Sequence, residues 1–222
     1  MFWNWFKTIF KKPVFDHEVP VKKPIIGVDI SHHNGSLDFV AMKKAGIEFV
    51  YAKATQGADF RDPKFKEHVF KSKAVGILIG AYHFLSPDID AIAQIHNFLD
   101  SINGMDLDLC PVLDWEQESK VLAKTQIETA KMWLESIEKK TGKIPMIYTG
   151  PYFFEDAMKS PKGFEKYKLW IAHYGTTHPK IPAPFTKYLV HQFTETGRIA
   201  GVKGQFDKNV LNGTLDDLKG KA

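Results

Sequence analysis

Asp114-Trp115-Glu116 closes the apolar run Leu109-Cys110-Pro111-Val112-Leu113. Side chains two residues apart on a strand point the same way, so a buried strand here presents both carboxyls on one face. Two acids held side by side cannot both ionise freely. One keeps its proton and can act as a general acid at neutral pH. Glycosidic bonds are cleaved by such pairs. A lone Asp-x-Glu equally fits a solvated pair at a strand-to-loop junction, so the decision rests on what else the chain brings to the same place.

The elements that would do so alternate β-branched runs with helical patterns, the mark of parallel strands joined by crossover helices. Strands are expected at 25–30, 48–53, 77–83, 110–115, 146–148, 169–172 and 188–193, and helices at 37–45, 63–73, 89–102 and 125–139. In the last helix Ile127, Ala130, Leu134 and Ile137 form one apolar stripe. Seven strands with four helices predict an α/β fold, an irregular (β/α) TIM-like barrel with a reduced number of helices and its later crossovers shortened or lost. Chemistry gathers where barrel strands end. Polar residues fall there on every strand: Asp29 and Ser31, Lys53 and Gln56, Tyr82 and His83, Asp114 and Glu116, Tyr148, then Trp170, His173 and Tyr174, and Gln192. One such residue is solvation, but the same placement on every strand argues for a shared cleft.

With 222 residues and 44% hydrophobic content the chain can bury a full core. Residues 1–24 hold five lysines against Asp16 and Glu18, a balance of +3 out of a total of +4, so the rest is nearly neutral and carries no nucleic-acid footprint. The single cysteine, Cys110, excludes an intramolecular disulfide and a Cys-based zinc site. Its apolar neighbours read as a buried thiol, with a nucleophile as the alternative. Residues 1–12 are aromatic and basic but too few to span a bilayer. They also make a poor signal peptide, since their lysines follow the apolar stretch. Phe2, Phe6, Ile9 and Phe10 would share a helical face flanked by Trp3 and Trp5, which suits contact with a membrane surface; a terminal helix packed on the domain, or a frayed end, fits as well. Pro13, Pro20 and Pro24 mark a linker. The division expected is 1–24, an aromatic and basic segment with its linker, and 25–222, the barrel.

Seven segments, in order, carry a resemblance: Gly27-Val-Asp29-Ile-Ser31-His-His-Asn-Gly35, Ala52-Lys-Ala-Thr-Gln-Gly57, Gly80-Ala-Tyr-His-Phe84, Pro111-Val-Leu-Asp114-Trp-Glu116, Ile147-Tyr-Thr-Gly150, Leu169-Trp-Ile-Ala172 and Gly204-Gln-Phe-Asp207-Lys-Asn209. From about residue 25 to 213 the chain resembles glycoside hydrolase family 25, the muramidases or Chalaropsis-type lysozymes. That resemblance implies an acidic catalytic cluster of Asp29, Asp114, Glu116 and Asp207, with Glu116 the proton donor. It implies a sugar groove with Tyr148 and Trp170, to which Tyr82, Tyr174 and Gln192 are added as substrate-binding residues. Aromatic faces suit sugar rings, and Gln192 can hydrogen-bond hydroxyl or acetamido groups. Gln56 departs from the family, many members of which carry Glu there.

The implied substrate is the glycan strand of peptidoglycan, cut at the β-1,4 bond between N-acetylmuramic acid and N-acetylglucosamine, without a cofactor or metal, by a monomer acting in the cell envelope or after secretion. Taken by themselves, Asp29 and Asp207 fit turn or capping roles. His32 and His33 beside Asp29 raise a metal site, but neighbours on an extended chain point apart. His83 is expected in the groove or core and not as a catalytic base. Residues two apart on a strand are about 6.6 Å apart in backbone, and both acids lie on one side of the bond, which suits neither the direct retaining nor the inverting design. Attack by the substrate's own 2-acetamido group, oriented by Asp114, fits better. A non-catalytic glycan-binding module and a chitinase-like N-acetylglucosaminidase are the alternatives.

Overall fold

The computed structural model describes residues 23–221; the aromatic and basic stretch 1–12, with its membrane-contact reading, lies outside them. Nine strands form one sheet: β1 (Ile25–Ile30), β2 (Ile47–Gln56), β3 (Phe60–Arg61), β4 (Leu78–Phe84), β5 (Val112–Asp114), β6 (Met146–Thr149), β7 (Lys168–Ala172), β8 (Val190–Ile199) and β9 (Val202–Leu211). The order β1-β9-β8-β7-β6-β5-β4-β2-β3 closes through pairing of β1 with β2, and β3 is appended to β2. The barrel strands run parallel except β9, which is antiparallel to both β8 and β1.

Helices α1 (Phe39–Lys44), α2 (Phe65–Ala74), α3 (Ala91–Ile102) and α4 (Ala123–Thr141) cover the first half of the barrel, and among the described residues no α-helix follows β6. The sequence reading of four helices and curtailed later crossovers is met. Asp38 and Asp90 cap α1 and α3 by accepting from the third backbone amide beyond them. Gly142, at φ 68°, takes the left-handed turn that ends α4. The α4 stripe is wider than predicted, because Trp133 is also fully buried. Two strands were missed. β3 is only two residues long, Phe60 and Arg61 pairing with Gln56 and Thr55 of β2. β9, where Asp207 taken by itself fitted a turn role, is a ten-residue strand, and with the outer part of β8 it forms a half-exposed hairpin whose residues lack apolar alternation.

Strand alternation divides the core in two. Inside the barrel lie Phe49, Tyr51, Cys110, Val112, Met146 and Trp170. Between barrel and helices lie Val50, Leu113, Trp115, Phe98, Trp133 and Leu134. Cys110 is a buried thiol, 3.8 Å from the Tyr51 hydroxyl. Gly27 and Gly80 make room for the large interior rings. A Cβ on either would sit 2.4 Å from Phe49 or 2.3 Å from Tyr51, closer than atoms pack.

Candidate active site

Asp114 ends β5 and Glu116 follows two residues past it, while Trp115 between them turns outward against Phe154 and Phe164. The two carboxyls therefore face the cleft at the C-terminal end of the barrel, as the alternation predicts. Asp29 reaches the same cleft from β1 and Asp207 from β9, where the two are direct cross-strand partners. Tyr82, Tyr148, Trp170, Tyr174 and Gln192 also line it, so every sequence-predicted site residue meets in one place. Three strand-end residues do not. His83 points outward, donates from Nε2 to Gln94 Oε1 at 3.1 Å, accepts at Nδ1 from the Thr55 hydroxyl at 2.7 Å, and stacks on Trp133. Burial holds its imidazole down to about 4, so it is a neutral core residue. Gln56 and His173 are likewise outside the cleft lining.

The cleft also contains groups whose roles the sequence did not announce. Lys53, 8% exposed, donates to Gln56 Oε1 at 2.7 Å and lies over the Phe84 ring. His33 and Glu195 line the wall. His32 does not join a metal set; its Nδ1 pairs with Asp62 at 2.8 Å. Among the described residues no group of three or more His, Cys, Asp or Glu is placed to hold a metal ion. Asn209 is the other unannounced organiser, donating to Asp29 Oδ2 at 2.8 Å and accepting from the Trp170 indole at 2.8 Å.

Gln192 is the hub. Its Nε2 donates to Asp29 Oδ2 at 2.9 Å, and its Oε1 accepts from the Tyr148 hydroxyl at 2.9 Å and the Tyr174 hydroxyl at 2.7 Å. Those bonds fix the groups around it and leave its carbonyl no free direction toward a sugar. Trp170 is 2% exposed and packs edge-on to Tyr148, so it forms the bottom of the cleft; Tyr174, 43% exposed, offers the open aromatic face at the rim.

Crowding of acids shapes the electrostatics. Burial first, then the Glu116 charge, raises Asp114 well above the ordinary carboxylate range, against the pull of Lys53. One of its oxygens, Oδ1, is buried without a hydrogen-bond partner. Glu116 stands nearer the mouth and is raised by desolvation, with the Tyr148 hydroxyl opposing. Asp29 is raised well above its usual value by burial and then by Asp207, while Asn209 and Gln192 stabilise its charged form. Asp207 rises to about 6, chiefly through burial. These carboxyls titrate as a set, and each gives up its proton at a higher pH than an isolated acid would.

A closed barrel with paired carboxyls gathered at its strand ends fits the chemistry of a glycoside hydrolase. Comparison with known proteins agrees. The model of glycosyl hydrolases family 25 matches residues 28–202. Lysozyme M1 of Streptomyces globisporus is 32% identical over 203 residues, covering 86% of this chain and 69% of its own. The N,O-diacetylmuramidase of a Chalaropsis species is 28% identical, covering 87% and 96%. The bacterial lysozyme of Streptomyces coelicolor superposes with a TM-score of 0.80 at 27% identity, covering 89% and 96%. The chain belongs to glycosyl hydrolase family 25, and it is an enzyme of the glycosidase class.

Proposed function

We propose that this chain is a muramidase that hydrolyses the β-1,4 bond between N-acetylmuramic acid and N-acetylglucosamine in peptidoglycan glycan strands, with retention and with help from the substrate's own acetamido group. The observation that carries the reading is the Asp114–Glu116 pair, both of which line the cleft at the barrel's C-terminal end. An acetamido N–H donating to the Asp114 carboxyl favours its charged form, and the proton the pair shares then resides on Glu116. Glu116 delivers it to the leaving glycosidic oxygen as the acetamido carbonyl oxygen attacks the anomeric carbon. Asp114, ionised, stabilises the positive charge on the cyclised acetamido group. Water then opens that ring, with Glu116 taking back a proton. Asp29 and Asp207, across the mouth, supply negative potential toward the oxocarbenium-like centre, and Tyr82, Tyr148, Trp170, Tyr174 and Gln192 shape the sugar site.

The catalytic unit in this reading spans 25–222, acts as a monomer in the cell envelope or outside the cell, and touches an anionic membrane surface through residues 1–12, whose lysines and aromatics suit an interface. Among the described residues no helix is long and apolar enough to cross a membrane. Digestion of purified peptidoglycan and of chitin in parallel, with identification of the new reducing-end sugar, tests the activity. N-acetylmuramic acid ends from peptidoglycan are expected. N-acetylglucosamine ends, or cleavage of chitin alone, would transfer the chain to the chitinase-like class, and no cleavage of either would leave a binding module.

A further inference from the structure

The two ends of the barrel carry opposite charge. At the mouth, Asp29, Asp114, Glu116, Glu195 and Asp207 face Lys53. At the floor, where the parallel strands begin and the crossover helices finish, basic residues collect. Lys44 closes α1, Lys139 and Lys140 lie in the last turn of α4, Lys187 precedes β8, Lys23 precedes β1, and Lys221 follows the final helical turn. All six are exposed, and none has a carboxylate partner among the described residues. Of the acids at the same end, Asp106 and Asp108 are engaged by Lys73, Glu138 by Lys166 and Asp216 by Lys219, while Glu48, Glu165 and Asp217 have no cation partner among the described residues and offset part of the charge. The floor loops also touch one another. Lys23 packs beside Gly46, and the Ile144 amide donates to the Gly220 carbonyl.

The geometry points to the barrel floor as a docking face for an anionic lipid surface, holding the cleft turned away from the bilayer. This rests on the membrane contact proposed above for residues 1–12. The link between them is positional: the segment bearing Phe2, Trp3, Trp5, Phe6 and Phe10 joins the barrel at Lys23, on the floor. An aromatic and basic segment tethered at a basic face combines the two attractions that interfacial binding uses. The charge is spread over a whole end of the barrel and not gathered in a groove, which suits a flat surface better than a strand of polyanion. The acidic mouth is repelled by the same lipid, so the two ends reinforce one orientation, and the cleft looks outward to a wall substrate.

Co-sedimentation of the full chain with vesicles of phosphatidylcholine, with and without phosphatidylglycerol, tests it, alongside a K44S/K139S/K140S/K187S variant and a chain lacking residues 1–20. The full chain is expected to bind only the anionic vesicles. The four-lysine variant should bind them roughly a hundredfold or more weakly, since each lysine near an anionic surface is worth about a fivefold change, while cleaving soluble glycan fragments at the unaltered rate, which also shows it folded. Vesicle-bound enzyme should cleave those fragments as fast as free enzyme. Equal binding by the variant and the full chain overturns the floor and leaves residues 1–20 as the anchor. A full chain that ignores anionic vesicles overturns both readings, and loss of fragment cleavage on vesicles overturns the orientation.

Discussion

Asp207→Asn should make the protein more stable at neutral pH and no more stable in acid. Asp207 lies opposite Asp29 in the β1–β9 ladder, and burial lifts its carboxyl from 3.8 to about 6, with the Glu195 charge adding and the bond to Asp29 opposing. The folded state therefore binds this proton more tightly than the unfolded state does. The cost of the charged carboxyl is absent below the unfolded value, grows between 3.8 and about 6, and is complete above that. At face value, about two pH units correspond to ~3 kcal/mol. Asp207 is only partly buried, so solvent screening reduces this to about 1 kcal/mol. Asparagine has the same shape, and its amide can donate to the Asp29 carboxylate. The variant should melt about 2–4 °C higher at pH 7.5 and indistinguishably from the parent at pH 4, as followed by circular dichroism at several pH values. An equal gain at both pH values, or a loss at pH 7.5, would refute the reasoning.

Glu116→Gln should fold normally and lower peptidoglycan cleavage by at least about a hundredfold, because general-acid assistance is worth that much; turnover assays on the folded variant check it, and parental rates would remove Glu116 from its role. Gln192→Leu strands the buried Tyr148 hydroxyl and takes one donor from Asp29. It should cost about 2–4 kcal/mol in urea unfolding and slow catalysis, whereas Gln192→Ala with unchanged stability would show that the hub is dispensable. Gly80→Ala forces a methyl into the Tyr51 ring, with an expected loss of about 1–3 kcal/mol and, through Tyr51 packed on Trp170, a rise in KM; calorimetry and kinetics on soluble fragments measure both.

What the sequence disclosed and what it hid divide along physical lines. Buried strands and α4 were legible because their apolar periodicity is local, and Asp114-Trp115-Glu116 was legible because period-two alternation sends its acids one way and its tryptophan the other. β9 was not, since a hairpin with solvent on much of its surface has no need for apolar alternation. Its residue Asp207 could be assigned to the site only through family resemblance. The network that fixes Asp29 was beyond local reading altogether: Gln192 and Asn209 stand 163 and 180 residues from it, and only barrel closure brings them together. Lys53 sat at a predicted strand end, but a cation nearly enclosed among carboxyls becomes recognisable only when strand ends are seen converging.

The mechanism meets its most direct test in the configuration of the first product, read by proton NMR as the parent enzyme cleaves a soluble glycan fragment. Attack by the acetamido group followed by water inverts the anomeric carbon twice, so the β-anomer should appear first and relax later to the equilibrium mixture. Asp114→Asn should slow that appearance severely, as a neutral amide cannot stabilise the charge on the cyclised acetamido group. Initial release of the α-anomer would contradict the account, and would require water activated from the opposite face by Asp29 or Asp207.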